Sequence, residues 1–109
     1  MIRGTTPTHI FTFGKLDPTT FKVMNVYYAQ QGKQVLEKHK EDFTISSKET
    51  ECGEVYQASV TLTQEETLGF NPKHSVKLQL RALTMDDRSL ATKEYELSVW
   101  DVINDEVLE

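Results

Sequence analysis

Two runs of alternating polarity constrain this chain more than anything else in it: His74 to Leu83 and Leu90 to Trp100. In the first, Val76, Leu78, Leu80 and Ala82 alternate with Lys77, Gln79 and Arg81. In the second, Tyr95, Leu97 and Val99 alternate with Glu94, Glu96 and Ser98. Successive side chains of a strand point to opposite faces, so each run has one dry face and one wet face. Thr84 to Ser89 between them is rich in turn formers. The pattern predicts an antiparallel hairpin on one side of a β-sandwich, with Tyr95, Leu97 and Val99 facing the core.

The remaining runs support the same class. Thr8 to Phe13 alternates with His9, Phe11 and Phe13 on the face expected to be buried. Thr20 to Gln30 carries apolar residues on both faces, which predicts a central strand. After the turn Gln31-Gly32-Lys33, Gln34 to Lys38 returns as a strand, with helix as the competing reading. Asp42 to Ser46 is a short strand, Ser47 to Gly53 a polar loop, and Glu54 to Leu62 a strand with Tyr56, Ala58, Val60 and Leu62 inward. Thr63 and Glu66 have capping-box spacing, and Gly69 can end that helical turn in a left-handed conformation. The expected fold is therefore all-β: an immunoglobulin-like antiparallel β-sandwich of about seven strands with one short helical turn. The paired cysteines around a tryptophan that mark antibody domains are absent. With 109 residues the chain makes one domain, 1–109, ending in an acidic tail, 101–109. That tail has the spacing of a short amphipathic helix, and beyond Asp105 it is expected to be disordered.

Charge and composition exclude several functions. Twelve Lys and Arg stand against 17 Asp and Glu, and no basic run exceeds two residues, so nucleic acid is not an expected partner. A single cysteine, Cys52, rules out an intrachain disulfide and suits a reducing compartment. Nothing resembles a signal peptide or the roughly 18 apolar residues of a membrane helix. The product is expected to be cytoplasmic when synthesised, with no membrane partner.

A search for chemistry finds little. His9, His39 and His74 share no metal-ligand spacing with one another or with Cys52. Cys52 lies between Glu51 and Glu54, which disfavour a thiolate. There is no nucleophile elbow or phosphate-cradling glycine loop. The paired carboxylates Glu65-Glu66, Asp86-Asp87 and Asp105-Glu106 all fall in expected turns or tails. No catalytic, cofactor-binding or metal residue is assigned, no cofactor is expected, and the reading is non-enzymatic. Contact is the better lead. Trp100 falls on the wet face if its strand runs straight, beside Glu94 and Glu96; a bulge near the strand end would instead turn it inward. Trp100, Tyr28, Glu94 and Glu96 are the candidate interface residues. A homo-oligomer through Trp100 is one form of this reading. A carbohydrate-binding module is the alternative, needing Tyr27, Tyr28 and Trp100 as an exposed aromatic set.

The opening Met1-Ile2-Arg3-Gly4-Thr5-Thr6-Pro7-Thr8-His9-Ile10-Phe11-Thr12-Phe13, with Val60-Thr61-Leu62-Thr63-Gln64-Glu65-Glu66-Thr67-Leu68, resembles a group of small prophage- and phage-encoded proteins of Firmicutes found near tail and structural genes. The likeness covers most of the chain. It departs at Thr50 to Tyr56, where Cys52-Gly53 reads as a longer loop, and at Phe13-Gly14-Lys15, where a proline-bearing strand end is expected. The group brings no activity to carry over. The resemblance implies a phage or prophage structural protein, a virion or tail-assembly accessory whose partner is another virion protein and which becomes virion-associated.

Overall fold

Backbone pairing sorts the strands into two antiparallel sheets in a computed structural model that describes residues 1–109. The first sheet has the order β1 (Thr8–Gly14), β5 (Gly53–Thr61), β4 (Phe43–Thr50). The second runs β3 (Lys33–Lys38), β2 (Val23–Gln30), β6 (Val76–Leu83), and then β7 (Ser89–Ala91) and β8 (Tyr95–Leu97), which both pair with β6. In immunoglobulin lettering these are B-E-D and C′-C-F-G, with β7 and β8 sharing the place of G. The immunoglobulin-like sandwich is thus borne out. No strand stands where A would flank β1.

The core forms where the inner faces meet. Phe11, Phe43, Ala58, Val60 and Leu62 come from the first sheet or its end, and Met24, Val26, Tyr28, Val76, Leu78, Leu80 and Ala82 from the second. Each set is spaced by two, the period that puts residues on one face. β2 is central, as expected, between β3 and β6. Its two faces are not both dry, however. Met24, Val26 and Tyr28 are fully buried, while Val23 is exposed and Tyr27 half-buried on the outer side.

The second run of the predicted hairpin is not one straight strand. Arg81 stands opposite Ala91 and Leu78 opposite Tyr95, so three steps along β6 match four along its partner. The extra residue is a β-bulge over Thr92–Glu94. Thr92 fixes it: its N–H donates to the Leu80 carbonyl, its hydroxyl accepts from the Leu80 N–H, and its carbonyl accepts from Gln79. The bulge shifts the alternation by one, bringing both Leu90 and Leu97 toward the core. Tyr95 shares that face but is 43% exposed, because it lies at the rim of the sandwich.

Other expectations need correction. Ser47 to Gly53 is no loop: β4 continues to Thr50 and turns tightly through Glu51-Cys52 into β5. Ser46 to Glu54 are exposed on both faces, so this arm extends past the core and shows no apolar period. Gly53, at φ +109°, closes the turn in a conformation that favours glycine. Cys52-Gly53 therefore makes a short connection instead of a longer loop. The β2–β3 turn uses Gln31 at φ +52° and Gly32 at φ +76°, the double positive-φ geometry of a two-residue hairpin.

The capping box forms at α1 (Gln64–Leu68), with Thr63 and Glu66 each accepting from the other's amide. Gly69 ends the helix in right-handed geometry, not left-handed, as the chain turns Phe70 into the core. The tail makes no helix. It is nonetheless tied down: the Leu108 N–H donates to Gln64 Oε1, and Gln64 Nε2 donates to the Leu108 carbonyl.

Candidate functional site

The open edge of β1 is the most distinctive surface. β1 pairs with β5 and with no other strand. The Leu62 N–H donates to the Pro7 carbonyl, which sets the alternation along the ladder. His9 and Phe11 therefore turn their backbone groups toward β5, while Thr8, Ile10 and Thr12 turn theirs outward. Side chains follow a different alternation, between faces. Phe11 is buried, His9 and Phe13 are half-buried, and Ile10 is 62% exposed on the outer face.

Protein edges are commonly blunted by charge, which discourages pairing with another strand. Three of the four edges here follow that practice. β3 carries Lys33, Glu37 and Lys38; β4 carries Lys48 and Glu49; β8 carries Glu96 beside Lys93 and Glu94, while β7, on the same edge, is uncharged but only three residues long. β1 has no Asp, Glu, Lys or Arg between Thr8 and Gly14.

A groove of about 430 Å³ lies between β1 and the bulged edge of the second sheet. His9, Phe11 and Phe13 form one wall, and Leu78, Tyr95 and Leu97 the other. Its one titratable wall group inside the sandwich is tied up. His9 Nδ1 and the Tyr28 hydroxyl form a 2.6 Å hydrogen bond. Burial pulls the His9 imidazole below its ordinary range, and the positive N-terminus adds to this. Burial raises the Tyr28 phenol, and the Glu66 carboxylate raises it further. A neutral histidine joined to a neutral phenol cross-links the two sheets.

The four candidate interface residues separate. Tyr28 is fully buried, so it cannot serve as a contact residue; it is the inward member of the Tyr27-Tyr28 pair. Glu94 and Glu96 are exposed, with Glu96 accepting from the Ser75 hydroxyl at 2.5 Å. Trp100 is 65% exposed, and no bulge near the strand end turns it inward. Its backbone is held by the start of the chain in a parallel bridge to Ile2: the Trp100 N–H donates to the Met1 carbonyl, and the Arg3 N–H donates to the Trp100 carbonyl. Exposed Ile2 thus sits beside exposed Trp100.

The groups with potential chemistry do not gather. His9 bonds Tyr28, His39 Nδ1 lies 3.0 Å from Asn25 Oδ1, and His74 lines a separate depression with Lys77 and Glu94. Cys52 is exposed at the tip of the β4–β5 arm. No three His, Cys, Asp or Glu side chains converge on a point where a metal ion could sit. No helix is long and apolar enough to cross a membrane. Compared with known proteins, the chain matches no family model and no curated sequence.

Sequence reasoning missed the β1 edge as a site. Its neutrality was visible in Thr8-His9-Ile10-Phe11-Thr12-Phe13, and so was the outward place of Ile10. That β1 ends a sheet depends on pairing order, which no local pattern specifies.

Proposed function

We propose that this protein is a non-enzymatic structural or protein-interaction module that joins other protein through the open edge of β1. The observation that carries this reading is an uncharged edge strand with outward, unpaired backbone groups at Thr8, Ile10 and Thr12 and an exposed Ile10 between two threonines. An extended segment laid along such an edge gains main-chain hydrogen bonds, the basis of β-augmentation. The setting comes from the resemblance to prophage and phage proteins: a virion or tail-assembly accessory whose partners are virion components. The carbohydrate-binding alternative has less behind it. Tyr28 is inside and Tyr27 is half-buried, so of the three aromatics only Trp100 is fully presented.

The test is capture from lysate of a phage-producing host by immobilised wild-type protein and by Ile10→Lys. A charged residue on the edge should abolish retention of the specific partner without unfolding the protein, since Ile10 is exposed. Equal retention by both proteins would exclude β1 as the interaction edge.

A further inference from the structure

We infer that the occupant of the β1 edge is a second copy of this chain, paired antiparallel through β1 about a two-fold axis at Ile10. The inference rests on the reading of β1 as the interaction edge and adds what binds there.

The outward residues carry the argument. Thr8, Ile10 and Thr12 present backbone N–H and C=O groups away from β5, and in order they read Thr-Ile-Thr. This short sequence is the same in both directions about Ile10. An antiparallel two-fold at that residue therefore sets Ile10 opposite Ile10 of the second copy, and Thr8 opposite its Thr12. Each is a hydrogen-bonded pair, in which the two residues exchange both N–H···O bonds. Thr opposite Thr and an apolar pair at the centre are favourable cross-strand combinations. The two exposed Ile10 side chains cover one another on the outer face. A two-fold contact of this kind closes on itself, so it stops at a dimer and forms no fibre.

Charge does not oppose a copy at this edge. The chain carries a net −5, so two copies repel over most of their surfaces. β1 brings no ionised side chain opposite another, because it has no Asp, Glu, Lys or Arg. Self-pairing of β3 or β4 would be confined to registers that set lysine opposite glutamate, since like charges directly opposite destabilise a ladder. The product joins the two three-stranded sheets into one continuous sheet and seals the groove beside β1. A single strand pair lies at the small end of protein interfaces. The dimer is therefore expected to be weak and to form only at high protein concentration.

The experiment combines sedimentation equilibrium from about 10 µM to 1 mM with NMR-detected amide exchange at both ends. The expected result is a monomer–dimer equilibrium in which exchange at Thr8, Ile10 and Thr12 slows as concentration rises. Val60 and Ala58, already paired with β1, should not change. Ile10→Lys should stay folded by circular dichroism and remain monomeric, whereas Trp100→Ala should still dimerise. A strict monomer throughout overturns the inference, as does a dimer that survives Ile10→Lys or leaves those three amides unprotected. If the protein is monomeric but Ile10→Lys still abolishes capture of a host protein, the edge stands and the second copy is wrong. If neither assay responds to Ile10→Lys, both readings fall.

Discussion

The Tyr28 hydroxyl, rising from the second sheet, meets Nδ1 of His9, from the first, at 2.6 Å, and so links the two layers by a polar contact inside the sandwich. Tyr28 is fully buried and His9 half-buried. Tyr28→Phe keeps the ring and removes the partner of His9. Leaving the half-buried imidazole nitrogen without its partner costs about 1–3 kcal/mol, which urea unfolding would register as a lower midpoint at unchanged slope.

The same pair predicts a pH dependence. In the folded protein the His9 pKa is lowered, chiefly by burial. The unfolded chain therefore binds more protons than the folded one between the folded pKa and the ordinary histidine value of about 6.5. Stability is fully present above that ordinary value and falls as pH drops toward the lowered one. Below the folded value the loss levels off, because both states are protonated. Melting temperature followed from pH 8 to pH 5 should decline more steeply in the wild type than in His9→Gln; parallel curves would show that His9 is not the titrating group.

Gln30 was not singled out as a core group by its sequence, yet it is buried and clamps the connection between α1 and β6. Its Nε2 donates to the carbonyls of Asn71 and His74, and its Oε1 accepts from the Asn71 N–H. Replacing it by Ala strands three backbone groups of a turn that follows the core residue Phe70. The expected loss is about 2–3 kcal/mol, more than one ordinary hydrogen bond contributes. Thermal unfolding would report it, and Gln30→Glu, which sets a buried carboxylate against the Asn71 and His74 carbonyls, should not recover the loss.

How far the fold was legible depended on whether a residue's environment is set locally. The alternation in Thr8 to Phe13, Glu54 to Leu62 and Val76 to Leu83 put the right faces inside, because a strand with one dry face must show period two. Tyr27-Tyr28 did not yield to this logic: either tyrosine could face in, and only the pairing of β2 with β6 places Tyr28 inside. The β4–β5 arm was missed because its residues are wet on both faces and held by backbone bonds alone. The bulge at Thr92–Glu94 left one trace, the mismatched parity of Leu90 and Leu97. At the candidate site, the sequence left Trp100 open between outward and turned in by a bulge, and its 65% exposure shows the first, whereas the β1 edge needed the strand order.

Glu66 joins the short helix to the second sheet. Its side chain accepts from the Thr63 N–H at 2.8 Å and pairs with Lys38 of β3 at 2.6 Å. Burial alone would raise its carboxyl, but the hydrogen bond from Lys38, the Thr63 amide and the Lys38 charge outweigh it, so the pKa lies below the ordinary value. A lowered carboxylate gives stability that is present above the ordinary pKa and lost as pH falls through the folded one. Glu66→Gln retains an acceptor for the cap but not the ion pair. Its stability deficit should therefore be visible at pH 7 and shrink below about pH 4, near the ordinary glutamate value. Thr63→Ala removes the other half of the box, and its cost of about 1 kcal/mol should not vary with pH in this way.

Arg3 closes the chain on itself. Its guanidinium donates to Asp101 Oδ1 at 2.6 Å and to the Leu68 carbonyl at 2.8 Å, while its N–H holds the Trp100 carbonyl. The Arg3 side chain is largely covered, so it is fixed in place, whereas Asp101 is exposed and its charge is partly screened. The Asp101 carboxyl is held below its usual range by the Val102 N–H first and by Arg3 second. Removing Arg3 takes away both side-chain anchors but leaves the backbone bridge between residues 1–3 and Trp100. Arg3→Ala should therefore destabilise the whole domain only modestly, by about 1 kcal/mol. Its larger effect should be local, with faster amide exchange and easier proteolysis in Val102 to Glu109. Asp101→Asn keeps an acceptor for both donors and should release the tail less. If the tail of Arg3→Ala exchanges no faster than wild type, the Gln64–Leu108 hydrogen bonds hold it without help from Arg3.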